Sequence, residues 1–450
     1  IGGNMFNIGN KENYEIDEKG VRNVRGLVVD MIDNANSGHP GICLGAATIL
    51  YTLFKRHMNI YLDDTKFLNR DRFVLSAGHG APLYYVILYL MKLLTITDLK
   101  NLRKINSKTP GHPEYLKTPL VEMSTGPLGQ GIASSVGMAI SENYLHKITN
   151  GLIDHYTYVL CGDGELEEGV TYEALSLAGT LKLQKFIVIC DYNKVTLDNE
   201  LSVSSKEDLK KRFESINYLV LEANDTVQSI DNALIEAKNS NLPCIIFVNT
   251  IIGYGSFLEG KNIVHGKPLT ADDILNIHEK LGLYKTPFTV NQDVLEDFYQ
   301  TVLKRGDKYY KTWLKRYQKV KDKNIIDKLL KGENTVSLTD INIEYNNKSL
   351  RELSGDILNF LASKFPFLIG GSCDLSSSCK TNLNDYLIFS TENRDGRNIY
   401  FGIREHAMSG ILNGMALSGL RPFGSTFLTF SDYMKPGIRM SAMMNLPVIY

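Results

Sequence analysis

The sequence predicts an α/β protein built on open parallel sheets, and three observations carry that prediction. Short apolar strands alternate with helix-like segments through the N-terminal two thirds of the chain. These strands run into Gly or Asp before the next helix, as at Gly162-Asp163-Gly164 and Ile252-Gly253. One stretch, HYTYVLCGDGELEEGVTYEALSLAGTLKLQKFIVICDYNKV, reads as a complete βαβ unit.

In that unit the first strand ends at Cys161, a Gly-Asp-Gly turn follows, a helix runs to about Leu183, and the second strand ends near Asp191. A further strand lies in PCIIFVNTII, again with glycines at its C-terminal edge. Ligands of such sheets sit outside the C-terminal ends of the strands. From Thr270 to about Leu330 strands give way to amphipathic helices, whose Lys-rich face reads as a solvated connector. The segment beginning at Gly332 marks a boundary, after which the α/β pattern resumes with SLRELSGDILNFLASKF, PFLIGGSCDL, REHAMSGILNGMALSG, RPFGSTFLTF and LPVIY. The expected organisation is an α/β domain over 10–285, a helical connector over 286–335, and a second α/β domain over 336–450. That second domain is expected to be incomplete, because Tyr450 falls within what reads as the first half of a buried strand.

Composition excludes several classes of function. The 49 Lys+Arg against 50 Asp+Glu leave a net charge of -1, which offers no attraction for nucleic acid or an anionic membrane. The longest apolar stretch, Pro82 to Leu94, is broken by Lys92 and falls short of the roughly 20 residues a membrane helix needs. No apolar signal region opens the chain, and the six cysteines never form a CxxC pair, so reduced thiols in a cytoplasmic setting are expected.

The chemistry is foreshadowed by four groups of residues. Asp163 follows one strand, and Asn193 follows the next, thirty residues on. A carboxylate and an amide oxygen at one sheet edge, beside a helix N-terminus, suit a diphosphate bridged by a hard divalent cation such as Mg²⁺ or Ca²⁺. Gly164 lets the backbone approach the phosphate. Four of nine histidines, His39, His79, His112 and His265, stand in Gly/Pro-rich turns. Their spacing is wrong for zinc, whereas neutral imidazoles suit hydroxyl recognition and proton transfer near pH 7. Glu405 opens a helix after a short strand, which by itself fits an ordinary acidic first turn. Arg351 begins another helix, and Asp374 and Ser378 lie in a polar turn.

Taken together, the stretches NSGHPG, NRDRFVLSAGHG, TPGHPE, STGPLGQG, GDGELEEG, IGYGS, VHGKPL, GGSCDL, FGIREHAM and GSTFLTF occur in one order along nearly the whole chain. In this the chain resembles the transketolases, thiamine diphosphate enzymes that move two-carbon ketol units between sugar phosphates. The resemblance implies a thiamine diphosphate-binding fold with Asp163, Asn193 and the carbonyl of Val195 on the metal. Gly164 and His79 would lie at the diphosphate, with Gly126, Leu128 and Ile252 against the cofactor. His39, His112 and His265 would hold donor-sugar hydroxyls and move protons. Arg351 and Ser378 would anchor the substrate phosphate, where Arg offers a forked donor.

Glu405 matches the glutamate that holds a proton at the pyrimidine ring of thiamine, so that the cofactor's amino group becomes the base that generates its ylid. Phe427 and Phe430, with Tyr433 nearby, would form the aromatic wall for that ring. A homodimer with sites at the subunit interface is implied, Asp374 lying near that interface, as is a place in the pentose phosphate pathway. Glu165 and Tyr192 depart from the family pattern, which commonly has Cys and Asp there. The family also continues beyond the VIY strand into a further substrate loop and a third domain. The alternatives are a dihydroxyacetone synthase-like or deoxyxylulose phosphate synthase-like enzyme, or a non-catalytic cofactor-binding fragment if the protein ends at Tyr450. The TPGHPE turn argues against the deoxyxylulose phosphate synthase.

Overall fold

Two parallel sheets organise the chain. The computed structural model describes residues 14–332, 343 and 346–450, and the boundary expected at 335/336 lies outside them. The first sheet contains β1 (Arg72–Leu75), β2 (Thr157–Gly162), β3 (Phe186–Asp191), β4 (Leu219–Asn224) and β5 (Cys244–Asn249), in the order β1-β2-β3-β5-β4. Every neighbouring pair is parallel. The sequences FIVICD and CIIFVN carry no polar alternation, which suits strands covered by helices on both faces; all of β3 and all but the last residue of β5 are buried. At the edge, β4 is half exposed except for Ala223, and LVLEAN accordingly carries Glu and Asn.

The helices that position the site are α1 (Tyr14–Ala35), α2 (Gln130–Ile148), α3 (Gly169–Thr180), α4 (Gln292–Lys319), α5 (Leu350–Lys364) and α6 (Glu405–Leu417). Within the βαβ unit the expected helix is split: a 3₁₀ turn occupies Gly164–Glu167 and α3 ends at Thr180, a little before Leu183. In the connector, α4 buries Val294, Phe298, Val302 and Trp313. The Trp313 indole donates to the Leu152 carbonyl at 2.8 Å, and the Arg305 guanidinium to those of Met58 and Phe54 at 2.9 and 2.6 Å. Its Lys-rich side faces solvent while the other side is part of the first domain.

The second sheet contains β6 (Leu368–Ser372), β7 (Asn398–Tyr400) and β8 (Arg421–Ser425) in the order β7-β6-β8, all parallel. Ile449 extends it beside β8, exchanging N–H···O bonds of 2.9 and 3.0 Å with Gly424 and Pro422.

The two domains meet where α2 and α6 run side by side. Small residues allow the contact: a β-carbon on Gly137 would lie 1.9 Å from the Ile411 carbonyl oxygen, and one on Gly414 1.7 Å from that of Ser134. The Ser134 hydroxyl donates to the Gly410 carbonyl at 3.0 Å. At the N-terminal ends, Gln130 Nε2 and His406 Nε2 are 2.9 Å apart, and Glu173 of α3 accepts the Ala407 N–H at 2.9 Å. One apolar core takes in Val136 and Ile140 of α2 together with Met408, Ile411 and Met415 of α6, so burial is continuous across the junction.

Candidate active site

At the C-terminal edge of the first sheet, four loops converge. His79 lies in the Gly78–Gly80 turn just after β1, Asp163 follows β2 directly, and Asn193 follows β3 by two residues. Ile252 comes three residues after β5. His39 precedes the short helix Pro40–Gly45, and His265 follows the turn Asn262–Val264.

The four imidazoles form a single cluster. Ring centroids are 5.3 Å apart for His39 and His79, 6.4 Å for His39 and His112, 6.1 Å for His39 and His265, and 5.1 Å for the stacked His79 and His265. Burial first, and then mutual repulsion, lower His39 to about 4 and His79 to about 3. Burial also lowers His112 and His265. All four are therefore neutral near pH 7, each with one donor and one acceptor nitrogen. His39 Nδ1 is buried and has no partner among the described residues, so the cluster holds unused hydrogen-bonding capacity.

Beside it, Asp163 is fixed by backbone donors: Oδ1 accepts the Gly164 N–H at 2.8 Å and Oδ2 the Lys194 N–H at 2.5 Å. Burial nevertheless lifts its carboxyl to about 6. Asn193 Oδ1 accepts the Val195 N–H at 2.9 Å, and its Nδ2 donates to Asp191 at 2.9 Å. Asp191, itself lifted to about 7 by burial, also accepts the Thr250 hydroxyl. Asp163 and Asp191 are thus buried carboxyls with no cationic side chain paired to them among the described residues, which fits a divalent ion at this edge. A β-carbon on Gly162 would meet nothing within 4 Å, leaving an open cradle next to the Asp163 turn. The residues present fit a metal-bridged diphosphate.

The loop containing Gly126 and Leu128 closes another side. A β-carbon on Gly126 would lie 3.4 Å from the His112 ring, and one on Gly78 2.8 Å from the Gly126 nitrogen. Leu128 is 39% exposed and available to a ligand, whereas Ile252 is 2% exposed and packs behind the pocket against Gly41.

In the second domain Glu405 is the first residue of α6 and is buried; its Oε1 accepts the Thr426 hydroxyl at 3.1 Å. Phe427 and Phe430 stack with centroids 6.0 Å apart and leave an exposed aromatic face. Among the described residues, no hydrogen bond or ring contact joins Glu405, Phe427 or Phe430 to the four imidazoles. The imidazole wall and the Glu405–Phe427–Phe430 wall thus share no direct contact among the described residues. Arg351, held at the start of α5 by a Ser349–Glu352 capping box, donates to the Ser378 carbonyl at 3.2 Å, so these two predicted partners do meet on the surface.

Comparison with known proteins decides the family. Residues 16–332 match the transketolase thiamine diphosphate-binding domain, and residues 346–450 match the transketolase pyrimidine-binding domain. The chain belongs to the transketolase family. It is 42% identical to the transketolase of Aquifex aeolicus over 98% of this chain and 66% of that protein. The transketolase from Leishmania mexicana superposes with a TM-score of 0.93 at 38% identity, over 96% of this chain and 68% of that one. A Pichia stipitis transketolase solved in complex with sedoheptulose 7-phosphate gives 0.92 at 37% identity, again over 96% and 68%. The chain thus spans about two thirds of the length of these transketolases. Within the family pattern, residues that sequence reading passed over also shape the site. Asp191 and Thr250 orient Asn193, and Glu173 and Gln130 tie α6 to the first domain. Their only sequence signal was proximity to motifs already noticed.

Proposed function

We propose that the chain carries out the reversible transfer of a two-carbon ketol unit from a ketose phosphate of the xylulose 5-phosphate type to an aldose phosphate of the ribose 5-phosphate type. The observation that carries this reading is the cluster of four neutral imidazoles between the Asp163–Asn193 edge and the 126–129 loop. Thiamine diphosphate, when bound, supplies a carbon nucleophile and an electron sink for breaking the bond beside a ketose carbonyl.

The chain's own residues do the rest. Asp163, Asn193 and the Val195 carbonyl hold Mg²⁺, with Ca²⁺ as a substitute, and Gly164 and His79 line the diphosphate. Gly126 and Leu128 bear on the ring system. His39, His112 and His265 have both a donor and an acceptor at neutral pH, so they bind sugar hydroxyls and accept or return the hydroxyl proton as the bond breaks and re-forms. Glu405 holds a proton at the pyrimidine ring, and Phe427 with Phe430 keeps that ring out of water. Arg351 and the Ser378 segment bind the sugar phosphate.

A homodimer is proposed in which each site pairs the first domain of one copy with the second domain of the other, a reading supported by the lack of any direct contact between Glu405 and the imidazoles among the described residues. The six free cysteines, five of them buried, fit a cytoplasmic enzyme of the pentose phosphate pathway. No helix among the described residues is long and apolar enough to cross a membrane. The test is to supply the intact protein with thiamine diphosphate, Mg²⁺, xylulose 5-phosphate and ribose 5-phosphate; absence of sedoheptulose 7-phosphate refutes the reading.

A further inference from the structure

The proposed chemistry leaves Glu165 without a task, yet this carboxyl is 2% exposed and lies inside the first domain. Both of its hydrogen bonds go to one oxygen. Oε1 accepts the Ser76 hydroxyl and the Gly129 N–H, the latter at 2.7 Å, whereas Oε2 has no partner among the described residues. Ser76 Oγ in turn accepts the Ile132 N–H at 3.0 Å. Gly129 caps α2 and Ile132 lies in its first turn, so the Glu165–Ser76 couple serves backbone donors that have no carbonyl within the helix.

The arrangement is tightly built. A β-carbon on Gly131 would lie 2.4 Å from Ser76 Oγ, and Gly129 has φ +79°, with Val170 only 2.4 Å from where a β-carbon would stand. Three residues upstream, Gly126 lies against the His112 ring. A single buried acceptor thus holds one end of the loop whose other end walls the imidazole pocket. We propose that Glu165 is a positioning residue that sets the 126–129 loop against the ring system of thiamine diphosphate, acting through the Gly129 N–H. This inference rests on the cofactor site proposed above. A thiol at the same place accepts hydrogen bonds weakly and would hold the loop less firmly.

The position of the loop bears on the ring end of the ligand and not on the metal-bridged diphosphate, and that contrast supplies the test. Two readouts are taken on the intact protein: amide hydrogen exchange of Gly129 and Ile132 without ligand, and titrations with thiamine diphosphate or inorganic diphosphate, each with Mg²⁺. In Glu165→Ala, exchange at both amides is expected to speed at least tenfold. Affinity for thiamine diphosphate should fall about tenfold, with inorganic diphosphate unchanged within about twofold. Glu165→Gln keeps the Oε1 acceptor and should recover most of both losses. Equal weakening for the two ligands, unchanged thiamine diphosphate affinity, or a Gln variant no better than Ala overturns the proposal. Should Glu165→Ala fail to fold, Ser76→Ala is the second variant. It leaves the Gly129 bond in place and should show a smaller loss of the same ring-selective kind; a loss shared by both ligands, or none, overturns it as well. If the unsubstituted protein binds inorganic diphosphate but not thiamine diphosphate, the functional reading fails, while the exchange data still decide whether Glu165 anchors the loop.

Discussion

Replacing Gly137 with Ala tests the junction on which the relation between the two domains depends. On an isolated helix the change stabilises by up to about 1 kcal/mol, because Gly is the poorer helix former. Here the added methyl would sit 1.9 Å from the Ile411 carbonyl oxygen, whereas ordinary contact begins at 3.4 Å, so α2 and α6 would have to part by about 1.5 Å. The obstacle is backbone and cannot rotate away. Overpacking of this kind costs about 1–3 kcal/mol, and an unyielding neighbour places the variant at the upper end, near 3 kcal/mol. Urea unfolding followed by far-UV circular dichroism and by fluorescence of the single tryptophan, Trp313, measures it. Trp313 reports on the first domain, so a lower midpoint by circular dichroism than by fluorescence is the expected signature of a loosened second domain. Gly162→Ala is the control: its methyl meets nothing within 4 Å, so folding should change by less than about 0.5 kcal/mol while diphosphate binding weakens. A Gly137→Ala protein as stable as its parent, or more stable, would falsify the close-packed junction.

Other expectations follow from the two walls. Glu405→Gln should lower turnover at least about a hundredfold while leaving thiamine diphosphate affinity within about threefold; unchanged turnover removes Glu405 from its role. Arg351→Ala should raise KM for the ketose phosphate about tenfold with a much smaller effect on kcat, and an unaltered KM shows that the phosphate binds elsewhere. His39 and His79, lowered by burial to about 4 and 3, should remain neutral at pH 5 in nitrogen NMR spectra of the histidine rings, and ordinary titration near 6.5 contradicts the buried cluster. Since the unfolded chain binds protons to these rings first, their contribution to stability is intact above about pH 6.5 and is lost as the pH falls toward 4 and 3.

Much of the first domain was legible because its signals are local. FIVICD and CIIFVN announce buried parallel strands by composition alone, and Asp163, Asn193 and the four turn histidines stand out through their neighbours in sequence. The strands β1 and β4 escaped for physical reasons: β1 has four residues, and β4 is an edge strand whose polar residues blur its pattern. Glu165 was visible as a departure, but its use depends on Gly129, 36 residues away, and on Ser76, 89 away. Nothing local marks Gly137 and Gly414 as contact points; the structure shows a carbonyl filling the space that each leaves. Likewise, nothing local in FGIREHAM says that the Glu405 helix starts beside the start of α2.

The side-by-side pair of α2 and α6 also governs how this molecule can move. The 126–129 loop ends where α2 begins, Glu405 stands where α6 begins, and the Gln130–His406 and Glu173–Ala407 bonds lock those two starting points together. A two-domain enzyme commonly opens by bending between its domains. Bending that tightens this crossing would drive the Ile411 and Ser134 carbonyls into helix backbone, so the contact resists closure of one domain onto the other.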